Sequence, residues 1–225
     1  MKTIGILGGL GPAASCRLFD NIVRLCPADR DQDHPDVILY SKASIPDRTA
    51  FMLGRTDEDP LPAMLAGVET LIAAGADMLA MPCVTAHHFH PPLAAASRVP
   101  FLNMLELTAN TLAEQNVTSV ALLATEGTYF SGAFRRALNA RGIDVLIPDA
   151  EQAYGVMALI YSIKAGHMYG NEIIEGFAAP LIAQGAQRVI LGCTELSLFT
   201  GLDEMYVDPL MILAQELLLL AADGC

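Results

Sequence analysis

Positive charge is scarce in this 225-residue chain: 13 Lys and Arg stand against 25 Asp and Glu, giving a net charge of −12. A field of that sign repels phosphate backbones and anionic lipid, which argues against a general nucleic-acid or membrane-surface partner. A small anionic ligand then needs its own local cations. Cysteine is sparse too, with Cys16, Cys26, Cys83, Cys193 and Cys225 odd in number, widely spaced and without a CxxC pair. That pattern is no disulfide scaffold and fits a reducing, cytoplasmic setting. Long apolar runs are missing: 211–222 is interrupted by Gln215 and Glu216 and falls short of the roughly 20 residues that span a bilayer. The opening Met1-Lys2-Thr3 runs straight into IGILGG, too brief for a signal-peptide core. Low-complexity and Pro/Ser-rich linkers are absent, and hydrophobic residues reach 53% against 17% charged, which argues against disorder.

What is present is alternation. Short apolar runs at 3–7, 37–40, 78–81, 101–102, 117–124, 145–147 and 188–191 read as buried strands. Between them, 12–25, 61–74, 106–115, 130–141, 151–165 and 171–184 carry helical spacing. Strands alternating with helices predict an α/β fold, with parallel sheets covered by helices on both faces. The pattern also repeats. LIAAGADMLAMPC (71–83) and LIAQGAQRVILGC (181–193) agree at six of thirteen positions, and TIGILGG (3–9) matches SVALLAT (119–125) more loosely. Two similar lobes are expected, 1–104 and 105–208, with the last helix (209–225) packing back on the first.

The repeat gives the cysteines a meaning. Ligands in open α/β sheets bind beyond the carboxyl ends of the strands. Cys83 and Cys193 end equivalent strands, so lobes that face each other bring both thiols into one cleft, each near a helix start that favours a thiolate. One sulfur can then remove a proton while the other donates one to the opposite face, which inverts a stereocentre. Proton abstraction beside a carboxylate demands fixed donors at its oxygens. Thr85, Thr194, Thr125 and Thr128 lie at the same strand ends, as do turn glycines Gly8, Gly9 and Gly11. Thr as a turn or cap residue, and buried Cys as a small hydrophobe, are the plainer alternatives.

Together these segments resemble the cofactor-independent aspartate/glutamate racemase family, and within it the aspartate racemase branch. The likeness is carried by IGILGGLGP (4–12), RDQDHPDVI (30–38), IPDRT (45–49), MPCVTAH (81–87), LLATEGT (122–128), GCTEL (192–196) and DP (208–209). It implies a two-lobed pseudo-symmetric fold with the site between the lobes, a homodimer, and no pyridoxal phosphate, other cofactor or metal. Residue by residue, it implies Cys83 and Cys193 as the acid–base pair, with Asp47 and Glu195 as tuning carboxylates. Glu195 stands where the glutamate branch carries GCTH. Arg48 and Lys164 match the cations that hold a distal carboxylate, Arg48 by a planar fork and Lys164 as a point charge. Leu10, Met52, Val84, Thr85, Thr125, Thr128 and Thr194 complete the implied substrate-binding set. The expected substrate is a dicarboxylic amino acid, aspartate first and glutamate second.

Val84 departs from the family pattern PCNTAH, whose Asn is expected to hydrogen-bond the substrate. Other donors then compensate, or the substrate differs, or activity is low. Relatives on the same scaffold include hydantoin racemases, maleate isomerases and arylmalonate decarboxylases. The paired cysteines disfavour the one-thiol decarboxylases, and the two cations favour a dicarboxylate. A non-catalytic amino-acid-binding relative remains a further alternative. GGLGPAA suggests nucleotide binding only weakly, because VILYS does not end in a ribose-binding carboxylate. A metal site from Cys83, His87, His88 and His90 lacks a completing carboxylate, and HHFHPP reads as a helix ending at its prolines.

Overall fold

In the computed structural model, which describes residues 1–222, two parallel sheets are built on one plan. The first contains β1 (Ile4–Gly8), β2 (Val37–Ser41) and β3 (Met78–Ala80) in the order β2-β1-β3, extended by a bridge from Leu79 to Phe101. The second contains β4 (Ser119–Ala124), β5 (Asp144–Leu146), β6 (Arg188–Gly192) and β7 (Tyr206–Val207) in the order β5-β4-β6-β7. The orders correspond strand for strand: β1 to β4, β2 to β5, β3 to β6, and the Phe101 bridge to β7. The inner strands β1 and β4 are apolar and almost wholly buried, covered on both faces, whereas the outer strands β2 and β5 are half-buried or exposed.

Among the described residues ten α-helices accompany these sheets: α1 (Pro12–Leu25), α2 (Arg48–Met52), α3 (Leu61–Ala73), α4 (His90–Ala96), α5 (Met104–Glu114), α6 (Glu126–Ser131), α7 (Ala133–Asn139), α8 (Ala150–Lys164), α9 (Glu172–Ala183) and α10 (Pro209–Ala222). One face of the first sheet packs on α3 and α4 through Leu7, Met64, Val68, Leu71 and Leu93. The matching face of the second packs on α8 and α9 through Leu123, Ile160, Ile174 and Leu181. The two remaining faces share one core, in which α1, α5, α7 and α10 bring Leu18, Leu112, Phe134 and Leu213 together. The last helix lies in this shared core, and Lys2 N–H donates to the Ala221 carbonyl at 3.1 Å. A continuous core between sheets holds the lobes in a fixed relation and leaves the strand ends facing each other.

Several local expectations change. The 101–102 run is a single bridge, and the two-residue β7 escapes a periodicity reading because it is too short to show one. The expected helix over 130–141 is two helices, broken where Gly132 adopts φ 62°. In HHFHPP the prolines begin a helix: a 3-10 turn, Thr85–Phe89, is followed by α4 with prolines in its first turn, where a missing N–H costs nothing. Cys225 and the end of the expected last helix, 223–225, lie outside the described residues. No helix among the described residues is long and apolar enough to cross a membrane.

Candidate active site

The strand ends of both sheets converge on a narrow cleft. From the first sheet come Cys83, Val84 and Thr85 after β3, and Asp47, Arg48 and Thr49 after β2. From the second come Thr125 after β4, Cys193, Thr194 and Glu195 after β6, and Met157, Ile160, Tyr161 and Lys164 from α8. Both thiols are therefore wall residues of one cavity, 7% and 5% exposed for Cys83 and Cys193. The turns that carry them touch: Thr194 Oγ1 donates to the Pro82 carbonyl at 3.1 Å. Each thiol precedes a short 3-10 turn, Thr85–Phe89 or Leu196–Leu198, so the helix start expected beside each is a single 3-10 turn with little dipole to offer.

Cys193 has the more developed surroundings. Its Sγ–H donates to Glu195 Oε2 at 2.9 Å, while Glu195 Oε1 faces Lys164 Nζ at 3.7 Å. Burial and then the Glu195 carboxylate push the Cys193 thiol well above its ordinary value, against the pull of Lys164. Burial works to lower the Lys164 ammonium, but Glu195 and the two thiols outweigh it, and the net shift is upward. The glycine loop explains why Glu195 fits. A Cβ at Gly11, whose φ is 152°, would lie 2.5 Å from Glu195 Oε1, so the carboxylate of one lobe rests directly on the backbone of the other.

Arg48 is 9% exposed and already engaged. Its Nη1 donates to the Ile45 and Pro46 carbonyls at 3.2 and 2.9 Å, and its Nη2 to the Leu10 carbonyl at 2.8 Å. Its Nε is buried without a partner, so the guanidinium keeps Nε–H and one Nη2–H of its five donors. Asp47 caps α2, accepting from Ala50 N–H at 2.7 Å; the N-cap role is the one the described contacts give it. Thr85, Thr125 and Thr128 form a closed triangle of hydroxyls at 2.8, 3.1 and 3.0 Å, joining the two lobes.

Ten of the thirteen sequence-predicted site residues line the cleft, and three stand behind it. The Leu10 side chain is an apolar group 1% exposed in the first-lobe core, and only its carbonyl reaches Arg48. The Met52 methyl packs over Gly127, and Thr128 supports the other two hydroxyls. Thr49, Met157, Ile160 and Tyr161 join the wall without being singled out by the sequence. The last three precede Lys164 by seven, four and three residues, so the helical spacing of one expected cation marks that face of α8. His87, which the sequence offers only as a candidate metal ligand, is buried beneath Cys83 and hydrogen-bonds its carbonyl at 2.7 Å. Among the described residues no cluster of His, Cys, Asp or Glu is arranged to hold a metal.

The family profile described as Asp/Glu/hydantoin racemase matches residues 7–217. A broad specificity amino-acid racemase, RacX, of Bacillus subtilis is 31% identical over 201 residues, covering 86% of each chain. The solved structure of Picrophilus torridus aspartate racemase is 29% identical with a TM-score of 0.84, covering 99% of this chain and 95% of that one. A glutamate racemase structure from Francisella tularensis, 17% identical with a TM-score of 0.74 over 99% of this chain and 81% of the other, shares the fold. With duplicated sheets facing across a cleft and a match over nearly its whole length, this chain belongs to the Asp/Glu/hydantoin racemase family and is an isomerase of the racemase type.

Proposed function

We propose that this protein interconverts L- and D-aspartate, with glutamate as a second substrate, by two-base proton transfer between Cys83 and Cys193 and without a cofactor. The carrying observation is that two buried thiols end equivalent strands of the duplicated sheets and wall the same cleft. A Cys83 thiolate takes the Cα proton from one face, and the Cys193 thiol delivers its proton to the other. In the reverse direction the two exchange roles. Burial and Glu195 keep Cys193 protonated, which suits it to be the donor in the resting protein. Charge that develops on the substrate carboxylate needs donors already in place. Thr85, Thr125 and Thr128 spend their three protons on one another, so one hydroxyl turns out of that triangle to serve the α-carboxylate, while Arg48 with Lys164 serves the distal one. The unpartnered Arg48 Nε supports this, since a buried donor left unsatisfied costs about 1–3 kcal/mol until a ligand meets it.

The protein works in the cytoplasm as a homodimer in this reading, with the lobes divided near residues 104–105 and α10 returning to the first. A second reading is favoured by the wall of Val84, Met157 and Ile160, which offers apolar surface beside the thiols. It broadens the substrate to other small amino acids, in line with the name of the Bacillus subtilis relative. The experiment is racemisation by Cys83→Ser and Cys193→Ser. Each should abolish it, and each should leave at most α-proton exchange on a single enantiomer. Wild-type rates in either variant would overturn the two-thiol reading.

A further inference from the structure

We propose that His87 is a positioning residue for Cys83, fixing the peptide that carries the thiol by one hydrogen bond from Nδ1–H. The inference rests on the two-cysteine reading above and adds to it a residue that does not line the cleft. His87 is 3% exposed and bridges two elements. Met104 N–H, at the start of α5, meets its Nε2 at 3.1 Å, and its Nδ1 lies 2.7 Å from the Cys83 carbonyl. An amide N–H can only donate, so Nε2 is the acceptor and the proton resides on Nδ1, which donates to Cys83. Burial supports the neutral ring by lowering its pKa to about 4. The His90 ring lies parallel to it, with centroids 5.7 Å apart.

The second lobe anchors its cysteine at the equivalent place with different chemistry. Four residues after Cys193, Ser197 Oγ donates to Asp208 Oδ1 at 2.6 Å, and the same oxygen accepts Leu210 N–H at 2.9 Å at the start of α10. Each thiol loop is thus tied to the first turn of a helix in the shared core, α5 for Cys83 and α10 for Cys193. In the first lobe alone, the tie acts directly on the cysteine's own carbonyl. A thiol displaced by about 1 Å from its substrate carbon loses on the order of 10²-fold in rate.

Two substitutions separate the bonds of His87. In His87→Asn the amide nitrogen replaces Nδ1 and keeps the bond to Cys83, while the acceptor for Met104 is lost. In His87→Gln the reverse holds. The expected result is a kcat about 10²-fold lower for Gln, most of it recovered in Asn, with KM little changed in either. With Cα-deuterated substrates, Gln should raise the isotope effect for the enantiomer whose proton Cys83 removes and lower it for the other. Ser197→Ala should show the opposite asymmetry. Equal losses in Asn and Gln, or isotope effects that move together for both enantiomers, would overturn the proposal and leave His87 a stabilising residue. Nitrogen-15 NMR of the intact wild type provides a measurement independent of folding in the variants: an Nε2–H tautomer near neutral pH would also overturn it. Loss of the underlying reading is visible separately, as wild-type protein that exchanges no α-proton; iodoacetamide alkylation of Cys83, mapped by mass spectrometry, should then still differ in rate between Gln and Asn.

Discussion

Replacing Gly11 by Ala tests whether Glu195 must occupy its observed position. The new Cβ would sit 2.5 Å from Glu195 Oε1, whereas ordinary contact begins at 3.4 Å. Glu195 must therefore retreat by about 0.9 Å, or the loop must yield by that amount. Because Oε2 of the same carboxylate holds the Cys193 thiol at 2.9 Å, the displacement passes straight to the sulfur. A misplacement of about 1 Å predicts roughly a 10²-fold loss in kcat. Ala at φ 152° is also strained, at about 1–2 kcal/mol, or roughly 3–6 °C in thermal midpoint for a chain of this size. Gly75→Ala provides the control, since Gly75 has φ 99° and nothing within 4 Å of where the alanine methyl would lie. It should lose similar stability and keep its activity. Racemisation assayed by chiral chromatography, with calorimetry on both variants, decides the matter. Equal activity in Gly11→Ala and Gly75→Ala would refute the reasoning.

Three further outcomes follow from the same geometry. In Glu195→Gln the carboxylate that raises the Cys193 pKa is gone, so the thiol ionises at lower pH. The alkaline limb of the pH–rate profile, where the proton donor is lost, should move to lower pH; an unmoved limb would remove Glu195 from the account. Arg48→Ala strips three carbonyls of their donor and should cost about 2–4 kcal/mol on denaturant unfolding, while weakening aspartate and glutamate far more than alanine or serine. Val84→Asn buries an amide at a site 2% exposed, costing about 1–3 kcal/mol in the free protein. If the substrate is aspartate, its KM should fall in that variant; a raised KM for aspartate alone would favour the apolar-substrate reading.

The architecture is legible in the sequence because its signals are local. Apolar runs such as VALLA and RVILG mark central strands, and Gly-Ala turns recur before both cysteine-bearing strand ends. Short elements are not legible. The helix Arg48–Met52 and the strand Tyr206–Val207 span too few residues to show a period, and tertiary contacts fix them instead. The two cysteines, Lys164 and Glu195 are visible as motif residues, but the bond from Cys193 to Glu195 depends on a turn that spacing alone does not specify. Leu10 shows the opposite limit: a motif position suggests a side chain at the site, yet its apolar side chain lies in the core and only its backbone carbonyl reaches toward the cleft, where it accepts from Arg48. In sequence, Cys83, His87, His88 and His90 group as a candidate metal ligand set, set aside for want of a completing carboxylate. Cys83 lies four residues earlier in the same motif, but Met104 comes from a separate segment that sequence periodicity does not relate to His87.

The central claim is inversion at Cα through two thiols, and proton NMR in D2O tests it most directly. Wild-type protein is incubated with L-aspartate, L-glutamate and a panel of neutral amino acids, with no added cofactor, beside Cys83→Ser and Cys193→Ser. The account predicts loss of the aspartate α-proton signal together with formation of D-aspartate, and no racemisation by either variant. Folded wild-type protein that exchanges no α-proton from any of these amino acids would contradict it.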